Sequence, residues 1–100
     1  MPFTIVRYRP LEERRDENQG LVEAVFEQLA AEQPSGLRYA TFRLADGTFV
    51  HIADVDGENP LPTLSAFRAF TGAIRERCAP GEGPDAQPAT LVGSYRLLDE

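Results

Sequence analysis

Two segments rich in β-formers flank the pair Asp46-Gly47, and that arrangement predicts a hairpin. Glycine accepts a positive φ and aspartate tolerates one, as a tight hairpin turn requires. Residues 37–44 (LRYATFRL) lead into the turn and residues 49–55 (FVHIADV) lead out of it. A hairpin alone is marginal in water, so the rest of the chain must supply more strands and a covering layer. Residues 3–9 (FTIVRYR) alternate and predict a first strand. Pro10 ends it, lacking the N–H that a ladder needs. Residues 12–32 predict a helix with Val22, Val25, Phe26 and Leu29 as its buried stripe and Glu23, Glu27 and Glu32 mainly on the wet side. Glu12 and Glu13 suit the positive end of its dipole. Gly20 costs about 1 kcal/mol relative to alanine inside such a helix, so either the first turn is separate or something packs close to Gly20. Pro34-Ser35-Gly36 stops the helix.

After the hairpin, residues 57–62 form a loop held irregular by Pro60 and Pro62. Thr63 or Ser65 can cap a second helix running to about Arg77, with Leu64, Phe67, Phe70 and Ile74 as its apolar stripe. Residues 79–88 read as an exposed loop and residues 90–98 (TLVGSYRLL) as the last strand. The order βαββαβ predicts a ferredoxin-like α+β sandwich in one domain spanning residues 1–100. Its antiparallel sheet has the order 4-1-3-2, with two helices on one face.

A two-residue turn at Asp46-Gly47 places His51 opposite Phe42, Phe49 opposite Leu44 and Ala53 opposite Ala40. Those residues and Val55 then pack under the helices. The other face carries Tyr39, Thr41, Arg43, Val50, Ile52 and Asp54, with Val6 and Tyr8 from the first strand. The last strand adds either Val92, Ser94 and Arg96 or Gly93 and Tyr95. A one-residue change in the turn would swap faces. This open face is too apolar to leave wet and too polar for a plain core, which suits burial against a second sheet.

Sixteen acidic residues against ten basic ones give a net charge of −6, and every basic residue is an arginine. Arg14-Arg15 is the only adjacent basic pair, and acids flank it. Binding to nucleic acid or to an anionic membrane surface is therefore not expected, because phosphate neutralisation needs a basic face. The absence of lysine excludes a Schiff-base mechanism. Cys78 is the only cysteine, so no intrachain disulfide can form, and one Cys with one His cannot build an ordinary zinc site. No metal is expected. Asp54, Asp56 and Glu58 are not spaced as a calcium loop, and no P-loop, dinucleotide fingerprint or Ser-His-Asp order occurs. No apolar run approaches the roughly 20 residues of a membrane span, and no signal peptide is expected at the N-terminus. A cytoplasmic location is the default expectation.

Several strings resemble one family. They are residues 5–10 (IVRYRP) opening into a helix, residues 36–44 (GLRYATFRL) before the Asp-Gly turn, and residues 49–55 followed by Asn59-Pro60-Leu61 and Phe67-Arg68-Ala69-Phe70. Together they resemble dimeric α/β-barrel proteins of the antibiotic biosynthesis monooxygenase-like superfamily over nearly the whole length. The resemblance implies a homodimer packed sheet to sheet, with a small apolar cavity in each protomer and no cofactor. It implies a cofactor-independent monooxygenase acting on an aromatic or polyketide-like substrate. The alternative is a non-catalytic ligand-binding or protein-interaction module of the same fold. Heme degradation is set aside. That branch carries an asparagine where this chain has Val6 and a ligating histidine on the second helix, whereas His51 is the only histidine here; tryptophan, usual near the pocket, is absent.

The candidate catalytic residues are His51 and Asp54. The ordinary titration range of an imidazole suits His51 to general-base work; otherwise it is a hydrogen-bonded core residue. Asp54 is an orienting carboxylate, a base, or an ion-pair partner of Arg43 or of an arginine in the second subunit. The candidate substrate-binding residues are Tyr8, Tyr39, Arg43, Asn59 and Phe67. The tyrosines offer apolar bodies with hydroxyl tips and Arg43 can hold an oxygen anion. Asn59 is otherwise a turn residue, and Phe67 otherwise helix core.

Overall fold

The computed structural model describes residues 3–98. Strand β1 spans Phe3–Tyr8, helix α1 Arg15–Glu32, β2 Leu37–Arg43, β3 Phe49–Val55, α2 Ser65–Gly72, α3 Ile74–Arg77 and β4 Asp85–Ala89. The antiparallel sheet has the order β2-β3-β1-β4, which is the expected 4-1-3-2 read from the other edge. The ferredoxin-like α+β fold is as the sequence predicts. Helices α1 and α2 pack together, and the core holds Tyr8, Val22, Val25, Phe49, Leu61, Leu64 and Phe70.

The turn is one residue longer than expected. Leu44 N–H donates to the Thr48 carbonyl (2.7 Å), Gly47 N–H to the Leu44 carbonyl (3.0 Å) and Thr48 N–H to Asp46 Oδ1 (2.9 Å). Ala45, Asp46 and Gly47 (φ 90°) thus form a three-residue loop with glycine in the left-handed position. The ladder slips by one, so Thr41 faces His51, Arg43 faces Phe49 and Tyr39 faces Ala53. The β3 residues keep their predicted face, with His51 and Ala53 toward the helices. The β2 assignment is reversed: Tyr39 lies beneath the helices with His51, and Ala40 and Phe42 lie beside Ile52 on the open face. Val6 and Tyr8 also turn toward the helices rather than away.

The last strand is Asp85–Ala89, all but Ala89 of it in the segment expected to be a loop, and residues 90–98 form no strand. The cause is upstream. Arg9 N–H donates to the Glu82 carbonyl (3.0 Å), Ala79 N–H donates to the Arg9 carbonyl (3.3 Å), and Pro10 bridges Cys78. The chain leaves α3 already alongside β1, so pairing begins at Asp85 opposite Arg7. Pro88 is tolerated because β4 is an edge strand. Leu91, Leu97 and Leu98 instead border an apolar recess of about 610 Å³ over the open face, with Phe3, Ile5, Phe42 and Ile52.

The first helical turn is indeed separate, a 3-10 turn at Glu12–Arg14, and Gly20 has open space around it. The second helix breaks at Ala73 into α2 and α3. Neither Thr63 nor Ser65 caps α2. Gln28 of α1 does this work, its Oε1 accepting from Ala66 N–H at 2.9 Å.

Candidate functional site

His51 sits mid-strand in β3 with its ring beneath the helices, and it is 4% exposed. Tyr8, on the neighbouring strand β1, brings its hydroxyl to 2.8 Å from His51 Nε2. From β2, the Tyr39 hydroxyl lies 2.5 Å and Thr41 Oγ1 3.0 Å from His51 Nδ1. Asn18 of α1 donates from Nδ2 to the Tyr8 hydroxyl (2.9 Å), and Arg77 of α3 donates from Nε to Asn18 Oδ1 (3.1 Å). Aromatic rings enclose the imidazole, with Phe70 at 5.2 Å, Tyr8 at 5.4 Å and Tyr39 at 5.7 Å between centroids.

Burial among these rings pushes His51 down to about 4, so its imidazole is neutral near pH 7. Burial likewise raises Tyr8 far above the ordinary phenol range and pushes Tyr39 up to about 12, so both hydroxyls stay protonated. The cluster is therefore a set of neutral donors and acceptors in an apolar wall, with one buried cation, Arg77, behind it.

A cavity of about 340 Å³ opens between the sheet and α2, and His51, Tyr8, Tyr39, Asn59 and Phe67 all line it. These candidates come together although the predicted register had put Tyr8 and Tyr39 on the far face. Asn59 also accepts from Leu61 N–H at its Oδ1 (3.0 Å), which fixes the loop at the cavity rim.

Asp54 and Arg43 do not join them. Side chains alternate along β3, so Asp54 points to the opposite face from His51. It is 3% exposed, and its Oδ2 accepts from Arg38 Nε (3.1 Å) and from a second Arg38 nitrogen. Its ion-pair partner is thus Arg38, the cross-strand neighbour, not Arg43. Arg43, at the end of β2, bonds Asp16 Oδ1 (3.0 Å) and Gln19 Oε1 (2.7 Å) on the surface of α1. Among the described residues no group of three or more His, Cys, Asp or Glu side chains is placed to hold a metal ion.

Sequence reasoning missed Asn18, Thr41 and Arg77. Asn18 had a signal: it lies one turn before Val22 and continues the buried stripe, a polar residue where an apolar one belongs. Thr41 would have followed from the correct register. Nothing in the sequence marks Arg77 as buried.

The fold and the cluster define a small α+β protein with an aromatic-walled pocket beneath its helices. Comparison with protein-family models and with curated proteins gives no match. Solved structures do share the fold. Rv0793 from Mycobacterium tuberculosis is 17% identical with a TM-score of 0.69, covering 94% of this chain and 98% of its own. A protein described as an antibiotic biosynthesis monooxygenase is 18% identical with a TM-score of 0.71, covering 93% and 100%. A Nitrosomonas europaea protein provisionally described as another is 15% identical with a TM-score of 0.72, with the same coverage. At the level of fold, the resemblance drawn from the sequence is borne out. Among the described residues no helix is long and apolar enough to cross a membrane.

Proposed function

We propose that the cavity beneath α2 binds a small planar aromatic molecule carrying an oxygen substituent, and that the chain is a cofactor-independent monooxygenase of such a molecule. The observation that carries this reading is His51, bonded to two tyrosine hydroxyls in the wall of an aromatic cavity. The flat rings of Phe67 and Phe70 suit stacking, and the hydroxyl cluster suits one polar substituent. The reaction class, monooxygenase, comes from the names borne by two of the structural neighbours. In the reaction proposed here a phenol is oxidised by dioxygen to a quinone. One oxygen atom enters the ring as a new carbonyl, the other leaves as water with the phenolic and ring hydrogens, and the phenol supplies all the electrons.

Tyr39 would hold the substrate oxygen, and His51 would fix the Tyr39 hydroxyl through Nδ1. An imidazole near 4 is a poor resting place for a phenolic proton, since an ordinary phenol titrates near 10 and the transfer would be uphill by roughly 8 kcal/mol. His51 therefore acts through its hydrogen bonds. Asp54, behind the sheet, has no part in this site. A second reading, a binding protein without turnover, is favoured by one fact: both His51 nitrogens are already bonded within the protein. The protein would act as a homodimer paired through its open sheet face.

Incubation of hydroxynaphthalenes with the protein under ¹⁸O₂ tests the proposal. A quinone carrying one ¹⁸O atom, formed by the wild type and lost in His51→Ala, supports it. Binding without labelled product would leave the non-catalytic reading, and no binding would overturn both.

A further inference from the structure

Arg77 is 1% exposed, and among the described residues no carboxylate lies within salt-bridge distance of it. Its guanidinium lies 5.6 Å over the Phe70 ring and donates to the Phe70 carbonyl (2.6 Å) and to Asn18 (3.1 Å). A guanidinium has donors and no acceptor, so the Asn18 atom facing it must be the oxygen. The Asn18 amide nitrogen then faces Tyr8 and donates to its hydroxyl oxygen. That hydroxyl keeps its own proton, whose one remaining partner is His51 Nε2. A buried hydroxyl proton left unbonded costs its full desolvation, so Tyr8 donates to Nε2. A neutral imidazole carries a single N–H, which is therefore on Nδ1. Nδ1–H points at the Tyr39 hydroxyl, with Thr41 as a second acceptor. The Tyr39 oxygen accepts, and among the described residues the adjacent Thr41 hydroxyl, already accepting from Nδ1–H, is what competes with the cavity for the Tyr39 proton. Tyr39 lines the cavity.

We propose that Arg77 and Asn18 are positioning residues that polarise this chain of hydrogen bonds, so that Tyr39 offers a donor to the cavity. The cavity then selects ligands that present an oxygen lone pair, as a carbonyl, phenol or phenolate does, over ligands that can only donate. The selection rests on the ligand-binding reading above; the polarity of the chain does not. Neither residue lines the cavity; Asn18 acts only through Tyr8 and His51, while Arg77 also touches Phe70 in the cavity wall.

Asn18→Asp is the informative variant. The new carboxylate still accepts from Arg77 but has no N–H to give Tyr8. Tyr8 must turn its proton to the carboxylate and accept from His51 Nε2–H. Nδ1 then accepts from Tyr39, whose lone pairs are left for the ligand. His51 is the only histidine, so ¹⁵N NMR reads its tautomer without ambiguity. The expected result is Nδ1–H in the wild type and Nε2–H in Asn18→Asp. The probes are 1-indanone, which only accepts, and indole, which only donates, two bicyclic molecules of similar size. The wild type should bind 1-indanone about tenfold more tightly than indole, and Asn18→Asp should abolish or reverse that preference. A wild-type Nε2–H tautomer, or a tautomer unchanged by Asn18→Asp, would overturn the polarity. Equal binding of the two probes, or a preference for indole, would overturn the selection. Failure of both probes to bind, with the tautomer as expected, would overturn the ligand-binding reading and the selection but not the polarity. Should Asn18→Asp fail to fold, the wild-type tautomer and probe preference still decide.

Discussion

A histidine held neutral by its surroundings gives stability a definite dependence on pH. His51 titrates near 4 in the folded chain because burial disfavours its charged form, against about 6.5 when unfolded. Between those values the unfolded chain binds a proton that the folded chain does not. Its contribution is therefore whole above pH 6.5, is lost as pH falls toward 4, and amounts to roughly 3 kcal/mol. Urea unfolding of the wild type and of His51→Gln from pH 7.5 to 4 checks this. The wild type should lose stability faster than the variant in that window, and parallel curves would refute it. The tyrosines around the ring are unequal. Tyr8→Phe strands both Asn18 Nδ2 and His51 Nε2, two buried groups, and should cost about 2–3 kcal/mol. Tyr39→Phe leaves Thr41 bonded to Nδ1 and should cost about 1 kcal/mol or less. Denaturant midpoints at neutral pH separate the two, and equal losses would mean that the chain of bonds is not the source of the stability.

Along the elements, two glycines should respond to alanine in opposite directions. Gly20 lies inside α1 with open space around it, so Gly20→Ala should stabilise by about 0.5–1 kcal/mol. Gly36 enters β2 at φ 77°, and a Cβ there would lie 2.6 Å from the Asp56 carbonyl oxygen. The Gly36 carbonyl also accepts from Asp56 N–H (2.7 Å). Gly36→Ala should thus cost about 2 kcal/mol, through both the strained φ and the displaced strand ends. Thermal melts of the two variants are enough to test this. The same elements show why the sequence was legible in parts. The alternation of β3 fixed its face, because every second residue must point the same way. The Asp46-Gly47 signal marked the turn correctly but not its length, and one extra loop residue carried Tyr39 across the sheet to His51. The β-rich tail at residues 90–98 looked more like a strand than the proline-containing segment that pairs with β1. Its propensity lost because the backbone bonds of Arg9 had already brought residues 79–82 alongside β1. Of the cavity residues, those on strands and in the rim loop were recognisable by type. Arg77, which stands behind the cavity wall, was not, because an arginine near a helix end gives no sign that it is buried.

At the scale of the molecule, the helices cover one side of the sheet and leave the other dependent on the tail. Leu91, Val92, Tyr95, Leu97 and Leu98 remain 55–100% exposed beside the recess over Phe3, Ile5, Phe42 and Ile52. Exposed apolar side chains grouped in this way suit an interaction site, and the net charge of −6 argues against an anionic surface as the occupant. The proposed homodimer would bury it against an equivalent surface. Light scattering on a size-exclusion column should then give twice the chain mass of 11.1 kDa. Val92 is fully exposed in the single chain, so Val92→Asp should leave the protomer folded. In a two-fold pair the substitution occurs twice. If each valine is buried at the interface, at about 1.5 kcal/mol or more apiece, dissociation should rise by roughly a hundredfold. The circular dichroism spectrum and the His51 NMR signals should not change. A dimer indifferent to Val92→Asp would place the contact away from the tail. A wild-type monomer at micromolar concentration would refute sheet-to-sheet pairing and leave the recess open to a partner of another kind.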